Sequence, residues 1–229
     1  MSSRYRSKAK NNKKLVIFTS IIIVLFILLY FFIQASKSGG ESGAFKQGPD
    51  LANQPVEGMQ DAKVSIVEFG DYKCPSCKAW GEQIYPKLKE AYIDSGKVKF
   101  AYINVLFHGD ESKLGALAGE AVWKQNPEAF WPFHKALFAE QPTDNHDGLW
   151  ITPDKIEEIA GTITPAINII QLKQDLANQS NINEVNIDEQ LVLDFNVQQT
   201  PTIMINNVVV NNPFDYDTIV KIIEEQANE

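Results

Sequence analysis

The chain has 229 residues, 44% of them hydrophobic, so it is long enough to bury a core as one large domain or two small ones. Its formal charge of −8 is unevenly distributed: residues 1–34 carry six basic and no acidic residues, which leaves 15 basic and 29 acidic residues for the rest. This excess of acidic residues after residue 34 argues against nucleic-acid binding, which requires a basic surface.

The N-terminal segment has the pattern of a membrane anchor. Residues 15–33 (LVIFTSIIIVLFILLYFFI) carry no charge, and at ~1.5 Å per residue they nearly span the ~30 Å hydrocarbon core of a bilayer. All six basic residues precede this run, so we predict a cytoplasmic tail over 1–14, a single transmembrane helix over 15–34 and an exported remainder. A cleaved signal peptide is the alternative, but its apolar core is shorter and the cleavage site here is poor. Residues 35–54 are rich in Gly, Ser and Asn and predict a flexible linker.

A short apolar strand is predicted next, followed by a turn and a helix. Residues 63–69 (KVSIVEF) have the β-branched, apolar composition of a buried strand. Glu68 is the one acidic residue in it. Two interpretations are open: the carboxyl faces solvent on an edge strand, or it is buried, has a raised pKa and exchanges a proton with a nearby thiol.

The two cysteines of the chain, Cys74 and Cys77, follow in the stretch EFGDYKCPSCKAW. A disulfide that closes so short a loop adds little stability, and a zinc site would need two further ligands that the three scattered histidines do not supply. Copper delivery through two thiolates stays open. Because exported thiols are oxidised unless kept otherwise, the spacing favours redox chemistry over a structural role.

Cys74 is predicted to lie at a helix N-terminus. Helical spacing begins at this residue, and Pro75 suits the first helical turn because its missing N–H is not needed there. The free N–H groups and the helix dipole would stabilise a Cys74 thiolate, whereas Cys77, one turn into the helix, should be more buried and act as the resolving thiol. The Ser76 hydroxyl could donate a hydrogen bond to the Cys74 sulfur, and Pro86 should kink the helix.

These features resemble the thioredoxin fold. Three segments are similar to DsbA-like thiol–disulfide oxidoreductases, and most of all to the membrane-anchored BdbD type of Gram-positive bacteria: residues 67–80 (VEFGDYKCPSCKAW), 107–138 (FHGDESKLGALAGEAVWKQNPEAFWPFHKALF) and 198–206 (QQTPTIMIN). The resemblance implies an α/β protein with a thioredoxin-like domain over 55–107 and 196–229. A helical insertion over 108–195 would interrupt this domain, and the single transmembrane helix would precede it.

The resemblance also implies a cis-proline facing the cysteines. Three Thr-Pro pairs occur, and two of them, Thr152-Pro153 and Thr164-Pro165, precede helical patterns and predict helix starts. The Thr200-Pro201 pair precedes TIMINNVVV, which predicts a hairpin with a two-residue turn. We therefore expect Pro201 to be the cis-proline, with the Thr200 backbone facing Cys74 and pairing with an extended substrate.

Helical spacing fills the predicted insertion, over residues 111–126, 128–140, 153–161, 165–178 and 184–195. His134 falls in an aromatic stretch and is predicted to be a packed core histidine rather than a ligand. The family resemblance implies that some relatives bind calcium away from the cysteines. The matching oxygen donors here are Gln54, Glu120 and Asp188, although the redox chemistry itself requires no cofactor.

The direction of electron flow is predicted from the flanking residues. A cysteine pair that oxidises other proteins must stabilise its thiolate form strongly. We expect the helix start, Lys73 and Lys78 to provide this stabilisation. The resemblance then implies a monomeric oxidase that acts on reduced exported polypeptides and is re-oxidised by a quinone-linked membrane protein. Pro75-Ser76 lacks the histidine common in DsbA-type motifs, so a membrane-anchored reductase and a copper-delivery protein stay as alternatives.

Overall fold

The computed structural model describes residues 15–27, 43–145 and 147–228. The chain divides into two compact units, Met1–Glu41 and Ser42–Glu229. In the first unit residues 15–27 are helical. Among the described residues, no helix combines the length and the apolarity needed to cross a bilayer. The predicted basic tail 1–14 and residues 28–34 of the predicted anchor lie outside the described residues.

The second unit is built on a five-stranded mixed sheet. Its strands are β1 (Val56–Glu57), β2 (Val64–Gly70), β3 (Val98–Asn104), β4 (Thr202–Ile205) and β5 (Val208–Val209). The spatial order is β1-β3-β2-β4-β5. Only β2 and β3 pair in parallel; the other pairings are antiparallel. Six of the seven residues in β2, and likewise in β3, are buried, which is why both read as continuous apolar runs rather than as alternating patterns.

A broken helix follows β2 and crosses over to β3. It consists of α1 (Pro75–Gln83), α2 (Tyr85–Leu88) and a π-helical turn at Lys89–Ile93. The interruption at Ile84 lies two residues before Pro86 and confirms the predicted kink, because proline has no N–H to continue the helical ladder.

The predicted insertion is helical and lies between β3 and β4. Its helices are α3 (Asp110–Gln125), α4 (Pro127–Ala139), α5 (Pro153–Ala160), α6 (Ile169–Asn178) and α7 (Ile182–Asp194). Thr152 caps α5 and accepts a hydrogen bond from the Lys155 N–H, as predicted. A last helix, α8 (Tyr216–Ala227), follows β5 and packs against β2 and β4.

The prediction for Thr164-Pro165 was wrong. This peptide bond is cis, and α6 begins only at Ile169, with the Asn168 side chain accepting from the Gln171 N–H. The helix therefore starts four residues later than the sequence pattern indicated, because a cap was available at Asn168 as well as at Thr164.

The described part of the predicted linker packs against the sheet. Phe45 N–H donates to the Asn207 carbonyl at 2.8 Å, and the Phe45 ring meets the Phe195 ring edge-on with centroids 4.9 Å apart. Burial of an aromatic ring accounts for this attachment, so the flexible-linker interpretation does not hold for residues 43–54. Asn206 and Asn207 form the predicted two-residue turn between β4 and β5, with Asn206 at φ 49°.

Candidate active site

The two cysteines lie where β2 ends and α1 begins. A turn at Asp71–Lys73 connects these elements, and Cys74 is the N-cap residue of α1, with Pro75 in the first helical turn. Both cysteines are free thiols, and their side chains are buried, with Cys74 at 7% exposure and Cys77 at 1%. The predicted placement of Cys74 at a helix N-terminus is therefore confirmed.

Cys74 has the pKa of a stable thiolate. A hydrogen bond from the Cys77 thiol, another from the Thr200 side chain, and the backbone N–H groups of Cys77 and Ser76 lower the pKa of Cys74 to about 5, against the opposing effect of burial. Ser76 thus acts through its backbone amide, where the sequence suggested its hydroxyl. At neutral pH the Cys74 sulfur is a thiolate and a good leaving group.

Cys77 is shifted in the opposite direction. Burial raises its pKa well above the ordinary thiol value, and the hydrogen bond to Cys74 and the nearby Glu68 carboxyl raise it further. The Asp71 N–H lies 3.5 Å from Cys77 Sγ and opposes this shift. The pair therefore combines one acidic thiol with one that holds its proton.

Glu68 is buried in β2, with 2% of its surface exposed. Burial raises the pKa of its carboxyl well above the usual range, and the charge on Cys74 raises it further. The solvent-facing interpretation of Glu68 is therefore wrong and the buried one is right. A carboxyl in this position can carry a proton at a pH where ordinary glutamates are ionised.

The Thr200-Pro201 bond is cis, as expected. It precedes β4, which pairs antiparallel with β2 and so brings the Thr200 backbone to the cysteines. Cys74 Sγ lies 3.4 Å from the Thr200 carbonyl oxygen. This arrangement leaves an extended backbone segment beside the more acidic thiol, where a polypeptide can add as a further strand.

Lys73 and Lys78 do not act as expected. The Lys73 ammonium pairs with the Glu111 carboxylate and donates to the Gly148 carbonyl at 3.2 Å. Lys78 donates to the Ala139 and Gln141 carbonyls. The lowered pKa of Cys74 arises from hydrogen bonds of Cys77, Thr200 and Ser76, so these lysines bind the helical insertion rather than stabilise the thiolate.

Sequence reasoning missed two buried residues that contact this turn. Gln141 donates through Nε2 to the Tyr72 carbonyl at 2.7 Å and to the Cys74 carbonyl at 3.1 Å. Asp71 accepts from the Lys73 N–H at 2.8 Å and from His108 Nδ1 at 2.8 Å. An acid two residues before a backbone N–H in a turn is an Asx-turn signal that could have identified Asp71, whereas Gln141 lies in a loop with no such pattern.

His134 is a core residue, as predicted. Its Nδ1 lies 3.0 Å from the Tyr72 hydroxyl, its ring packs against aromatic rings on β3, on α4 and in the turn at Tyr72, and burial lowers its pKa to about 3. Within the described ranges, no group of three or more His, Cys, Asp or Glu side chains is placed to hold a metal ion.

The structure brings together the three predicted calcium donors, Gln54, Glu120 and Asp188, and adds Asn104 at the end of β3. All four are buried. Gln54 and Asn104 each donate to Asp188 at 2.7 Å, and Asn104 also donates to Glu120 at 3.1 Å. Burial raises the pKa of Glu120 to about 8 and that of Asp188 to about 6. Asn104 was missed, although a polar residue that closes an apolar strand was a usable signal.

Comparison with known proteins finds a matching family and similar relatives. The family model described as Thioredoxin matches residues 50–225. The chain is 44% identical over 178 residues to "Disulfide bond formation protein D" of Bacillus subtilis, covering 78% of this chain and 79% of that protein. It is 37% identical over 175 residues to a "Probable disulfide bond formation protein D" of Bacillus cereus, covering 76% and 79%.

Two solved structures agree with these relatives. The crystal structure of oxidised BdbD from Bacillus subtilis aligns with a TM-score of 0.77 and 43% identity, covering 81% of this chain and 99% of that one. Chlamydia trachomatis DsbA aligns with a TM-score of 0.69 at 20% identity, covering 79% and 94%, a likeness that concerns the fold alone.

Proposed function

Because the chain belongs to the thioredoxin family of disulfide bond formation protein D, and is an extracytoplasmic thiol–disulfide oxidase, we propose that it introduces disulfides into exported polypeptides through Cys74 and Cys77. The observation that carries this assignment is the contrast between the two thiols. A pKa of about 5 for Cys74 beside a raised pKa for Cys77 stabilises the reduced pair. A pair that is more stable reduced gives its disulfide away.

The reaction begins when a substrate thiolate attacks Cys74 Sγ of the oxidised enzyme. The bond between Cys74 and Cys77 breaks, a mixed disulfide forms, and Cys77 leaves as a thiolate that takes a proton from the Glu68 carboxyl. A second substrate thiolate then attacks the substrate sulfur of the mixed disulfide. Cys74 leaves as a thiolate, which its low pKa makes a good leaving group, and the substrate holds the new disulfide.

The substrate is an extended chain segment that pairs with the backbone at Thr200. The half-buried Thr200, whose carbonyl lies next to Cys74, supports this binding mode because strand addition holds a peptide through main-chain hydrogen bonds. Such binding suits an enzyme that acts as a monomer on many unfolded exported chains.

The N-terminal segment anchors the enzyme in the cell membrane in this proposal, with the catalytic domain outside. The uncharged run over 15–33 and the basic residues before it support a single-pass anchor. A quinone-linked integral-membrane protein then removes two electrons from the reduced cysteines. Tethering at the membrane would raise the effective concentration of this re-oxidase.

The redox potential decides between oxidase and reductase. The protein is equilibrated with reduced and oxidised glutathione, and the fraction of Cys74–Cys77 disulfide is measured by thiol alkylation. We expect a potential near the ~−120 mV of DsbA; a value near or below the ~−270 mV of thioredoxin would make the protein a reductase. Cys74→Ala and Cys77→Ala should each abolish oxidation of a reduced unfolded substrate, because neither variant can form the Cys74–Cys77 disulfide that takes up the two electrons. Stoichiometric Cu(I) binding without substrate oxidation would favour the copper-delivery alternative.

We also propose that the cluster of Gln54, Asn104, Glu120 and Asp188 holds a structural Ca²⁺ ion. The residues present fit a hard cation because the cluster offers oxygen donors: within the described residues, Gln54 Oε1, Asn104 Oδ1 and Glu120 Oε2 are buried and have no hydrogen-bond partner. Two members are amides, so the cluster differs from a site made of three or more carboxylates. A bound cation would offset the cost of burying two carboxylates side by side, and it would fix β3 to α3 and α7 without entering the redox chemistry.

A further inference from the structure

The carboxylate of Asp71 joins the turn before the cysteines to the helical insertion. Asp71 follows the last residue of β2, and its side chain is completely buried, with 0% of its surface exposed. His108 and Ser112 contact it from the insertion: Ser112 is a buried residue in the first turn of α3, and His108 lies in the loop before that helix. The insertion therefore reaches the turn at Asp71–Lys73 through a buried carboxylate.

Within the described residues, four donors contact this carboxylate. Asp71 Oδ1 accepts from the Lys73 N–H at 2.8 Å. Asp71 Oδ2 accepts from His108 Nδ1 at 2.8 Å, from the Ser112 hydroxyl at 2.9 Å and from the His108 N–H at 3.3 Å. An Asx turn requires only the bond to Oδ1. The bonds to Oδ2 satisfy the buried charge, and they fix the Asp71 side chain from the insertion more firmly than the turn itself requires.

The backbone of Asp71 contacts both cysteines. Its carbonyl accepts from the Cys74 N–H at 2.9 Å, and its N–H donates to Cys77 Sγ at 3.5 Å. Burial, the hydrogen bond to Cys74 and the Glu68 carboxyl raise the pKa of Cys77, and the Asp71 N–H opposes them. The Asp71 amide is thus a fixed dipole that points at the Cys77 sulfur.

The exchange reaction places charge on this sulfur. When a substrate thiolate attacks Cys74 Sγ, the bond between Cys74 and Cys77 breaks and its electron pair passes to Cys77 Sγ. The step is faster when the leaving thiol has a lower pKa, and a preorganised N–H aimed at the developing charge stabilises it as the donors of an oxyanion hole do. Cys77 is 1% exposed, so solvent contributes little to this stabilisation. Glu68 can protonate the thiolate once it has formed, whereas the Asp71 amide acts while the charge develops.

We propose that Asp71 is a positioning residue for this reaction. Its side chain, held by His108 and Ser112, keeps the Asp71 N–H on Cys77 Sγ, where the N–H stabilises the thiolate that leaves when substrate attacks Cys74. The inference rests on the proposed function in its use of Cys74 and Cys77 as the exchanging pair. It also gives the helical insertion a part in the chemistry, because the bonds that hold Asp71 Oδ2 come from that segment.

The experiment separates the chemistry of Cys77 from that of Cys74 in a single reaction. The reduced protein is mixed with one equivalent of an aromatic disulfide that releases a coloured thiolate. In the first phase the Cys74 thiolate attacks the reagent, which leaves a mixed disulfide on Cys74 and releases one coloured thiolate. In the second phase Cys77 loses its proton and attacks Cys74 Sγ, which closes the disulfide and releases the other coloured thiolate. Charge on Cys77 Sγ is present in the transition state of the second phase and not of the first.

Asp71→Asn and His108→Leu weaken the hold on the Asp71 backbone. Asparagine has one side-chain acceptor in place of two, and leucine removes the Nδ1 donor. His108→Asn is the matched control, because its amide can donate to Asp71 Oδ2 from nearly the position of His108 Nδ1. At pH 7, above the Cys74 pKa of about 5, we expect Asp71→Asn and His108→Leu to slow the second phase by about three- to tenfold, the effect of one lost hydrogen bond. The first phase should be unchanged, and His108→Asn should match the unmodified protein in both phases.

A purely structural role for Asp71 predicts a different result, since a distorted turn would slow both phases equally. That outcome would overturn the inference, and so would an unchanged second phase in both weakened variants. A faster second phase in Asp71→Asn would also overturn it, because the carboxylate would then act on Cys77 by charge repulsion.

Ser112→Ala removes one donor from Asp71 Oδ2 and replaces Asp71→Asn if that variant does not fold; it should slow the second phase alone, by about twofold or more. Its failure to do so would count against the inference in the same way. Release of only one coloured thiolate by the unmodified protein would instead refute the use of Cys74 and Cys77 as a pair, and with it the proposed function, so the two failures are distinguished.

Discussion

Cys74 Sγ lies 3.4 Å from the carbonyl oxygen of Thr200, the residue that precedes the cis-proline. The Thr200 side chain also hydrogen-bonds this sulfur and lowers the pKa of Cys74. Thr200 therefore contacts Cys74 twice, through its backbone carbonyl and through a side chain that stabilises the thiolate, and its proposed part in substrate binding would place substrate at the same residue.

Thr200→Val should raise the pKa of Cys74 above its value of about 5. The substitution preserves the β-branched shape and removes the hydroxyl hydrogen bond, worth about 0.5–1.5 kcal/mol, so we expect a rise of about one unit or less. The thiolate absorbance followed against pH measures this shift. Thr202→Val, two residues on, is the matched control and should leave the titration as it is; equal shifts in both variants would refute the role of Thr200.

The stability of the reduced protein should depend on pH through Cys74. Its pKa is lowered in the folded state, to about 5, from about 8.5 in the unfolded chain, so its stabilising contribution is complete above pH ~8.5 and is lost as the pH falls through ~5. The quantity to compare is the difference between the free energies of unfolding of the reduced and the oxidised protein. We expect this difference to rise by about 2 kcal/mol from pH 5 to 7, allowing for solvent screening.

Denaturant unfolding of both redox forms across this pH range measures that difference. The contributions of titrating groups other than the cysteines are nearly the same in both forms and largely cancel. Cys77, whose pKa is raised, begins to oppose the gain only as the pH passes the ordinary thiol value. A difference that is flat between pH 5 and 7 would contradict the assignment of a stable thiolate to Cys74.

Glu68→Gln should stabilise the protein at neutral pH and slow its turnover. Burial raises the pKa of Glu68, so folding disfavours its ionised form. This cost grows as the pH rises from the ordinary carboxyl value to the folded pKa and stays constant above it. Glutamine keeps the shape and removes that cost, but it cannot carry the proton of Cys77. We expect exchange to slow by roughly tenfold or more. Glu82→Gln, an exposed substitution on α1, is the control; a stabilised variant of full activity would exclude Glu68 from proton transfer.

Much of the redox site could be predicted from the sequence because it is built from local signals. The apolar strand ending in Gly70 and the proline after Cys74 fix the strand–turn–helix unit within a few residues. Family resemblance was needed to expect a cis bond at Pro201, since a Thr-Pro pair does not by itself indicate one. Thr164-Pro165, which precedes a helical pattern, is also cis.

The remaining contacts depend on pairs of residues that are distant in sequence. Gln141 reaches Cys74 from the insertion, and Lys73 binds Glu111 on α3. Neither partner is marked by spacing, and a charge beside a cysteine in the sequence does not reveal where its side chain points. The lysine beside Cys74 therefore appeared to be a thiolate stabiliser, although its ammonium is directed at a helix of the insertion.

Calcium should raise the thermal stability of the protein. If Ca²⁺ binds the cluster around Asp188, it stabilises the folded state by about 2.7 kcal/mol at a concentration one hundred times its dissociation constant. Glu120→Gln keeps the oxygen that accepts from Asn104 and removes the charge, so it should abolish most of the rise in Tm. Glu128→Gln, an exposed substitution on α4, should keep the full rise. A Tm that ignores Ca²⁺, or rises equally with Mg²⁺, would contradict a calcium site.

Lys73→Met should destabilise the protein without shifting the pKa of Cys74. The Lys73 and Glu111 side chains are 7% and 12% exposed, and Glu111 Oε2 also accepts from the Trp150 N–H at 2.8 Å and the Ile151 N–H at 2.9 Å. Loss of the ammonium leaves a nearly buried carboxylate without its counter-charge, at a cost of about 3 kcal/mol. Denaturant unfolding measures this loss, and the thiolate titration should be unchanged because the Cys74 pKa depends on hydrogen bonds at the helix start.

Lys73→Met/Glu111→Gln separates charge from packing. The amide still accepts from the Trp150 and Ile151 N–H groups and no longer needs a counter-charge, so the double variant should recover part of the stability that Lys73→Met loses. Lys78→Met, whose ammonium contacts two carbonyls near the surface rather than a buried carboxylate, should cost less than about 1 kcal/mol. If Lys73→Met instead raised the Cys74 pKa by a unit or more while Lys78→Met did not, the lysine would stabilise the thiolate directly, and its pairing with Glu111 would not describe its role in the reduced enzyme.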